Sequence, residues 1–308
     1  MRAMRSILWS AILGTLGATG CARLLTESRL LRPPPPRSEF STERLLIFEA
    51  GDPDTQAPRR VLAEPAEVIS PDGTRLRGWY FSHPQHRRYL MFLHGSLGVM
   101  ERSERFLGTL CLLLDTNILA IDYRGYGYSE GRASLEALAD DALLVYDDLA
   151  RRASHPDDPV FIFGYSLGSA LACHVAAQRD AAGVILLAPF TCADDFCATA
   201  GPWWFRAFNR VRPDEPLRRP RQPIDNVRDV REPLLIVHGT EDIVTRVELG
   251  RRMRDAAGSK LCRMIEVPGA GHENIRLTAP ALARALREFV AEACALRKGH
   301  APPASIGQ

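Results

Sequence analysis

A serine stands between two glycines at residues 164–168, where the sequence reads Gly-Tyr-Ser-Leu-Gly. An apolar run of strand length, residues 159–164, comes before this serine, and a segment with helical periodicity, residues 167–179, comes after it. At a strand-to-helix turn, the G-x-S-x-G pattern lifts the serine hydroxyl above the edge of a sheet. The alternative is a glycine-bounded turn in which the serine only caps the helix. The strand and helix context predicts that Ser166 is a nucleophile.

A serine hydroxyl needs a base within hydrogen-bond reach, and the base needs an acid that orients it. Two further loops supply these groups. Asp242 follows the apolar run 234–238, and His272 follows the apolar run 262–267. Sites in open α/β sheets lie outside the carboxyl ends of the strands, where both residues fall. We therefore predict that Ser166, Asp242 and His272 form a catalytic triad.

Two other carboxylates compete for the role of the acid. Glu241 precedes Asp242 directly, and Asp122 ends the apolar run 117–122. Glu273 adjoins His272 but lies too near it in the chain to point easily at its ring. The sequence favours Asp242 and keeps Glu241 as the main alternative.

Acyl transfer also needs donors for the oxyanion of the tetrahedral intermediate. One donor is predicted to be the backbone N–H of Leu167, the residue after the nucleophile. The second is predicted in the loop that follows the apolar run 89–94, where we favour the Ser96 N–H over that of Leu97. His94 begins this loop, and we expect it to support the loop rather than to act as a second base.

Apolar runs of strand length alternate with segments of helical periodicity through most of the chain. The apolar runs are residues 89–94, 117–122, 159–164, 183–188, 234–238 and 262–267, and the helical segments are residues 102–114, 134–152, 167–179, 246–257 and 279–297. This alternation predicts a mainly parallel sheet with helices on both faces. Ser134 is the predicted N-cap of one helix. Asp72-Gly73, between two alternating runs, predicts a hairpin and an antiparallel start to the sheet.

Five motifs in this order resemble the α/β-hydrolase superfamily. They are FLHGS, IDYRGYGYSEG, FGYSLGSALA, VHGTEDIV and GAGHENI. The likeness spans residues 40–292 and is strongest to the branch with acyl-protein thioesterase-like, monoacylglycerol-lipase-like and serine-aminopeptidase-like members. It implies Ser166, Asp242 and His272 as the triad, with Ser96 and Leu167 at the oxyanion hole.

The same resemblance implies that residues 124–129 form a structural loop near the site. Ser96 departs from the asparagine or glycine that is frequent at this position in the nearest branch. If the donor there is a backbone amide, this change need not impair it.

The predicted fold class is α/β: an α/β-hydrolase fold with a mostly parallel central sheet, an antiparallel N-terminal edge, helices on both faces and a short cap. We expect the domain over residues 40–297, the cap at about 190–232 and a disordered tail over residues 298–308. The predicted function is cleavage of a carboxylic ester or thioester through an acyl-enzyme. No metal or organic cofactor is implied.

Two other function classes remain. A serine peptidase or amidase on the same fold would use the same triad, with an acidic group to hold a substrate amine. A non-catalytic lipoprotein would use the fold to bind a ligand or a partner.

The N-terminus is typical of a secretory signal peptide. Arg2 and Arg5 precede an uncharged, mostly apolar stretch within residues 1–20. Arg23 follows this stretch too soon for it to span a membrane. Small residues precede Cys21, which resembles a bacterial lipobox with a lipidated cysteine. An ordinary signal peptide or an uncleaved anchor is the alternative. We therefore expect an exported lipoprotein of the cell envelope that is held on a membrane by acyl chains.

Residues 21–39 are predicted to be a linker. They contain four consecutive prolines at residues 33–36, which favour an extended polyproline spacer. Such a spacer would hold the folded domain away from the membrane.

The charge of the chain argues against a nucleic-acid partner. The formal net charge of the 308 residues is +2, and the two excess arginines lie in the first twenty residues. The remaining chain is therefore neutral and offers no basic field for nucleic acid. The expected partners are a small-molecule or acyl substrate and a membrane.

The six cysteines after Cys21 show no C-x-x-C pair and no zinc-ligand spacing, so we expect mostly buried thiols. Cys192 and Cys197 are close enough in the sequence to bridge in an oxidising compartment.

The cap segment carries an aromatic group and an arginine group. The aromatic residues Trp203, Trp204, Phe205 and Phe208 either line an acyl pocket or pack the cap on the sheet. The arginines Arg206, Arg210, Arg212, Arg218, Arg219 and Arg221 either meet anionic groups or form a solvated face. We expect that the aromatic residues pack the cap on the sheet and that the arginines form a solvated face. A cap this short predicts an open site.

Overall fold

A computed structural model of the chain describes residues 23–31, 33, 39–43, 45–51, 58–83, 85–155, 157–201 and 210–300. The strands are β1 (Arg23–Leu25), β2 (Leu46–Gly51), β3 (Pro58–Ile69), β4 (Arg75–Ser82), β5 (Tyr89–Leu93), β6 (Asn117–Ile121), β7 (Val160–Tyr165), β8 (Gly183–Leu187), β9 (Val211–Pro213), β10 (Leu234–Gly239) and β11 (Cys262–Val267). The helices are α1 (Glu27–Leu30), α2 (Met100–Leu114), α3 (Leu135–Arg152), α4 (Leu167–Ala176), α5 (Ala193–Thr199), α6 (Glu215–Arg218), α7 (Pro223–Asn226), α8 (Val247–Ala256) and α9 (Pro280–His300).

Nine strands form one sheet in the order β11-β10-β8-β7-β5-β6-β4-β3-β2. The strands from β11 to β6 pair in parallel, and β4, β3 and β2 complete an antiparallel edge. The predicted mostly parallel sheet with an antiparallel N-terminal edge is confirmed. The antiparallel edge includes the hairpin predicted at Asp72-Gly73, where Ile69 of β3 pairs with Arg75 of β4.

The central strands are uninterrupted apolar runs because helices cover both of their faces. Every residue of β5, β6, β8 and β10 is buried. One core cluster packs α3 and α4 on one face, with Leu138 and Leu171 among its members. The other packs α2 and α9 on the opposite face, with Leu107 and Phe289 among its members. This two-sided burial keeps the strand ends fixed, and the loops at those ends carry the candidate site.

Helix α3 begins as its sequence predicts. The side chain of Ser134 accepts a hydrogen bond from the Ala137 N–H over 3.2 Å, which satisfies a backbone donor of the first turn. Glu136 lies in that first turn, and Arg151 and Arg152 lie in the last one, so the charges complement the helix dipole.

The residues outside the main sheet differ from the expected linker and tail. Residues 23–31 are folded: β1 pairs in parallel with β9, and Leu31 is buried. The folded part of the chain thus begins within the stretch 21–39 that we expected to be a linker. The last helix ends at His300, beyond the expected domain boundary at 297. Four short elements, α5, β9, α6 and α7, lie in the expected cap.

None of the helices in the described ranges is long and apolar enough to cross a membrane.

Candidate active site

Ser166 lies at a strained turn between β7 and α4. Its backbone dihedrals are φ 52° and ψ −114°, in a region that residues other than glycine rarely adopt. The turn is close-packed: a Cβ atom on Gly168 would lie 2.0 Å from the Leu93 carbonyl oxygen, and one on Gly164 would lie 2.3 Å from the Gly168 carbonyl oxygen. The two glycines of the motif are therefore required by close approach of the backbone.

The structure brings Ser166, His272 and Asp242 together in one chain of hydrogen bonds. The Ser166 Oγ lies 3.0 Å from the His272 Nε2, and the His272 Nδ1 lies 2.7 Å from the Asp242 Oδ2. In this arrangement the hydroxyl donates to the imidazole, and the imidazole donates to the carboxylate. Each side chain comes from the carboxyl end of a different strand: Ser166 follows β7, His272 follows β11 and Asp242 follows β10.

Asp242 is buried and held by the backbone that follows it. Its Oδ1 accepts hydrogen bonds from the N–H groups of Val244, at 2.8 Å, and Thr245, at 2.9 Å. Burial alone would raise the pKa of this carboxyl, but the charge and hydrogen bond of His272, with a contribution from His238, hold the pKa well below its usual range. The carboxylate is therefore ionised and fixed in direction.

The competing acids lie elsewhere. Glu241 is exposed, and its N–H donates to the Ala270 carbonyl, so it braces the loop. Asp122 is buried, where it accepts hydrogen bonds from the N–H groups of Met100, at 2.8 Å, and Tyr128, at 3.1 Å. Burial raises the pKa of Asp122 to about 7. Asp122 thus caps α2 and holds the loop after β6, with both of its oxygens bound to main-chain N–H groups.

The loop of residues 124–129 is tied to the hairpin between β3 and β4. The Arg124 guanidinium donates to the Asp141 carboxylate over 2.8 and 2.9 Å and also forms an ion pair with Asp72. The Ser129 hydroxyl donates to the Asp122 carbonyl over 2.6 Å. These contacts join the loop to α3 and the sheet.

The loop after β5 is built around the His94 ring. The His94 Nδ1 donates to the Gly95 carbonyl over 2.8 Å, and its Nε2 accepts from the Tyr123 N–H over 3.4 Å. Burial lowers the pKa of His94 to about 4, so the ring is neutral and acts as a support. The loop carries Ser96 to the same cavity that Leu167 and Ser166 line. This arrangement agrees with a supporting role for His94.

The polar contacts of three side chains near the site were not predicted from the sequence. The Thr245 hydroxyl lies 3.0 Å from the Asp242 Oδ2 and 3.2 Å from the His272 Nδ1. The His238 Nε2 donates to the Thr245 carbonyl over 2.7 Å and lies 3.5 Å from the same Asp242 oxygen. The Tyr165 phenol donates to the His272 carbonyl over 3.0 Å. The sequence signal for these side chains is their position beside the predicted residues: His238 and Thr245 lie in VHGTEDIVT, and Tyr165 lies in GYSLG.

A cavity of about 460 Å³ opens on Ser166. This volume is in the range of small-molecule sites. Its described lining is mostly aliphatic and aromatic, and Glu273 is the one carboxylate among the lining residues that the structure describes. In the described ranges, no group of three or more histidine, cysteine, aspartate or glutamate residues is arranged to hold a metal ion.

Some of the predicted residues lie outside the described ranges. Cys21, the predicted lipidation site, is among them, as are Trp203, Trp204, Phe205, Arg206 and Phe208 of the cap. Their roles stay predictions. Cys192 and Cys197 are both free thiols.

Two family models match the chain. The model described as "Serine aminopeptidase, S33" matches residues 84–226, and the model described as "TAP-like protein" matches residues 211–301. The first match covers the turn that carries Ser166, and the second covers the loops of Asp242 and His272.

Individual relatives extend the match. An uncharacterized protein of Mycobacterium tuberculosis is 32% identical over 263 residues, which covers 82% of this chain and 88% of the relative. The alpha/beta hydrolase domain-containing protein 17B of Xenopus laevis is 30% identical, with 68% of each chain covered. The structure of the Pyrococcus furiosus esterase Pf2001 superposes with a TM-score of 0.63 at 16% identity, covering 85% of this chain and 98% of that one. The chain therefore belongs to the α/β-hydrolase superfamily.

Proposed function

We propose that this protein is a serine hydrolase that cleaves a carboxylic ester or thioester through an acyl-enzyme intermediate. The observation that carries the proposal is the hydrogen-bonded chain from Ser166 through His272 to Asp242, which opens on a mostly apolar cavity. The chain supplies a nucleophile, a base and an orienting acid, and the cavity suits the apolar part of an ester.

In the first half of the reaction, the His272 Nε2 removes the proton of Ser166 while the Ser166 Oγ bonds to the substrate acyl carbon. Asp242 keeps the imidazole in the required tautomer and stabilises the imidazolium. His272 then protonates the leaving alcohol or thiol as its bond to the acyl carbon breaks. Water repeats the same steps on the acyl-enzyme and releases the free acid.

The backbone N–H groups of Leu167 and Ser96 are the proposed donors to the oxyanion. Leu167 is the first residue of α4, so its amide points out of the helix N-terminus, where negative charge is favoured. One such donor lowers the barrier by about 3 kcal/mol. Because the Ser96 donor is a main-chain amide, its side chain is free to differ from that of relatives.

Hydrolysis of p-nitrophenyl esters and acyl thioesters by the purified protein tests this proposal. We expect turnover of at least one of the two classes, and we expect its loss in Ser166→Ala with unchanged folding by circular dichroism. Turnover that is unchanged in Ser166→Ala would contradict the proposal. A complete lack of turnover, with no covalent labelling of Ser166, would favour a non-catalytic ligand-binding role.

A peptidase activity is the second candidate, and two observations favour it. The family model that matches residues 84–226 is described as a serine aminopeptidase. Glu273, the carboxylate of the described cavity lining, follows His272 directly and is exposed. A carboxylate there is suited to hold the amino group of a substrate.

A substrate panel separates the two candidates. If the peptidase proposal holds, aminoacyl amides with a free amine are cleaved, and Glu273→Gln raises their KM more than it raises the KM of esters. If the ester proposal holds, esters or thioesters are the better substrates and Glu273→Gln leaves their KM unchanged. Activity confined to the amides would overturn the ester proposal.

We also propose that the protein is exported and anchored to a membrane through lipidated Cys21. The support is the N-terminal sequence: Arg2 and Arg5, an apolar stretch and small residues before the cysteine. Metabolic labelling with an alkyne fatty acid tests this. We expect the wild-type chain to be labelled and membrane-associated, and Cys21→Ser to be unlabelled and released. Membrane association that is unchanged in Cys21→Ser would contradict the anchor.

A further inference from the structure

The N-terminal segment, residues 23–31, is attached to the domain at both of its ends. Its strand β1 pairs with β9, and the Asp214 N–H donates to the Leu25 carbonyl over 2.9 Å. The Glu27 carboxylate accepts a hydrogen bond from the Leu135 N–H over 2.7 Å, at the start of α3. Leu31 is buried in the core cluster on the face of the sheet that α3 and α4 cover. The segment is therefore part of the folded domain.

Side chains of the N-terminal segment line the cavity that opens on Ser166. Leu25 is only 2% exposed and packs with Phe196, Leu217 and Val244, and Leu30 is half-buried beside it. Leu24, the neighbour of Leu25 on β1, is 51% exposed. The two residues alternate across the strand, so only one of them faces the cavity.

The cavity extends from Ser166 along one face of α4. Leu167, Ala170, Leu171 and His174 all line it, at the spacing of one helical face. His174 lies eight residues beyond Ser166, which is about 12 Å along the helix axis. We call this part of the cavity the α4 lobe. Leu25 and Leu30 of the N-terminal segment, with Leu135 and Ala139 of α3, line the same cavity. Leu30, Leu135 and Ala139 pack against the core cluster that contains Leu167 and Leu171 of α4.

The far end of the α4 lobe is polar. Arg221, Gln222 and Asn226 line the cavity together with His174. The Arg221 guanidinium donates to the Asp225 carbonyl and to the Asp229 carboxylate, so it is held in place by the cap segment. Along α4, an aliphatic chain that starts at Ser166 meets the apolar residues Leu167, Ala170 and Leu171 before it reaches His174.

The other part of the cavity lies on the side of His272. Tyr165 packs against the His272 ring with ring centroids 5.3 Å apart, and Ile275 and Phe92 share a core cluster with it. The leaving group must lie on this side because His272 protonates it. The acyl chain then has to extend to the other side of Ser166, into the α4 lobe.

We propose that the α4 lobe is the acyl-chain site and that Leu25 and Leu30 are specificity-determining residues supplied by the N-terminal segment. This inference rests on the proposed ester or thioester hydrolase function. The rise of about 12 Å along α4 from Ser166 to His174 fits an aliphatic chain of about octanoyl length. An acetyl group leaves the lobe empty, and a hexadecanoyl chain reaches the polar groups at its end.

A matched pair of variants tests the role of the N-terminal segment. Leu25→Trp fills the α4 lobe, whereas Leu24→Trp adds the same side chain on the exposed face of β1. With p-nitrophenyl acetate, octanoate and hexadecanoate, we expect wild-type protein and Leu24→Trp to prefer octanoate. We expect Leu25→Trp to lose about tenfold or more in kcat/KM for octanoate and to lose less for acetate, so that its octanoate-to-acetate ratio falls below that of Leu24→Trp. An octanoate-to-acetate ratio that is equal in the two variants would overturn the proposal.

Leu25→Ala keeps the proposal testable if the larger residue prevents folding. This change enlarges the lobe, so the preferred acyl chain should become longer than in the wild-type protein. An unchanged chain-length profile in Leu25→Ala would contradict a role in specificity.

A fluorophosphonate probe separates a failure of this inference from a failure of the proposed function. Labelling of wild-type Ser166 with no effect of either Leu25 variant on chain length would overturn the acyl-site assignment alone. If the wild-type protein is neither labelled nor active on any of the esters, the hydrolase function itself fails, and the acyl-site assignment fails with it.

Discussion

The phenol of Tyr165 donates a hydrogen bond to the main-chain carbonyl of His272 over 3.0 Å. The residue directly before Ser166 thus holds the loop that carries His272. The two rings also pack together, with centroids 5.3 Å apart. The position of the His272 ring relative to the Ser166 Oγ therefore depends on Tyr165, whose side chain lies outside the hydrogen-bonded chain of Ser166, His272 and Asp242.

Removal of the Tyr165 hydroxyl should lower the turnover rate and also reduce the free energy of unfolding. We expect Tyr165→Phe to lose about 1 kcal/mol of stability and also to lower kcat, because the His272 loop loses its attachment. Tyr146→Phe is a matched control, since the Tyr146 phenol donates to the Asp180 carbonyl over 2.9 Å on another part of the domain. Urea unfolding and ester hydrolysis measure both effects. An equal kcat in the two variants would remove the positioning role of Tyr165.

Asp242 and Glu241 are neighbours in the chain but differ in environment, so they form a direct comparison. We expect Asp242→Asn to lower kcat by roughly 10⁴-fold, because an amide favours the wrong tautomer of the base. Glu241→Gln should leave kcat unchanged, because the Glu241 side chain is exposed and only its backbone braces the loop. Steady-state hydrolysis of one ester measures both. The opposite ranking would transfer the role of the acid to Glu241.

The main elements, and the fact that Ser166, Asp242 and His272 lie together, were predictable because the pattern is local. Each parallel strand is a short apolar run. Ser166 follows one of these strands directly, and Asp242 and His272 lie in the loops that follow two others. The carboxyl ends of parallel strands meet at one edge of a sheet, so the order of the chain alone brings these residues together.

The contacts around the site were less predictable because they depend on long-range packing. The N-terminal segment pairs with β9, and the Glu27 N–H meets the Asp214 carboxylate across 187 positions of the chain. A three-residue strand carries too little periodicity to reveal its partner. The prolines at residues 33–36 led us to predict a linker over the whole stretch 21–39, although residues 23–31 are folded. Likewise, only the fold of the Asp242 loop brings the Thr245 hydroxyl to the carboxylate.

Asp122 should make stability depend on pH. Its pKa is raised by burial from 3.8 to about 7 in the folded protein, so between these values the folded state holds a proton that the unfolded state has lost. Stability from this group therefore falls as pH rises from about 4 to about 7 and is level above that. Asp122→Asn does not titrate, so the melting temperature of wild-type protein minus that of the variant should decrease over this window. A difference that grows with pH would mean that Asp122 is ionised when folded.

The close approach of the backbone at the Ser166 turn predicts that alanine at Gly168 and alanine at Gly271 change stability by different amounts. Gly168→Ala places a methyl group 2.0 Å from the Leu93 carbonyl oxygen, so we expect a loss of about 1–3 kcal/mol of stability. At Gly271, the nearest atom to an added Cβ is 3.6 Å away, and Gly271→Ala should leave stability unchanged. Chemical denaturation compares the two. Equal stability of both variants would show that the turn can relax.

Covalent labelling by a fluorophosphonate probe tests the central claim, that Ser166 is activated by His272 and Asp242, most directly. Mass spectrometry of the labelled protein should find the phosphonyl group on the peptide that contains Ser166. Ser166→Ala should abolish the labelling. Ser103→Ala, which removes another hydroxyl from the same cavity lining, should retain it. Labelling that persists in Ser166→Ala, or a wild-type protein that the probe does not modify, would contradict the account.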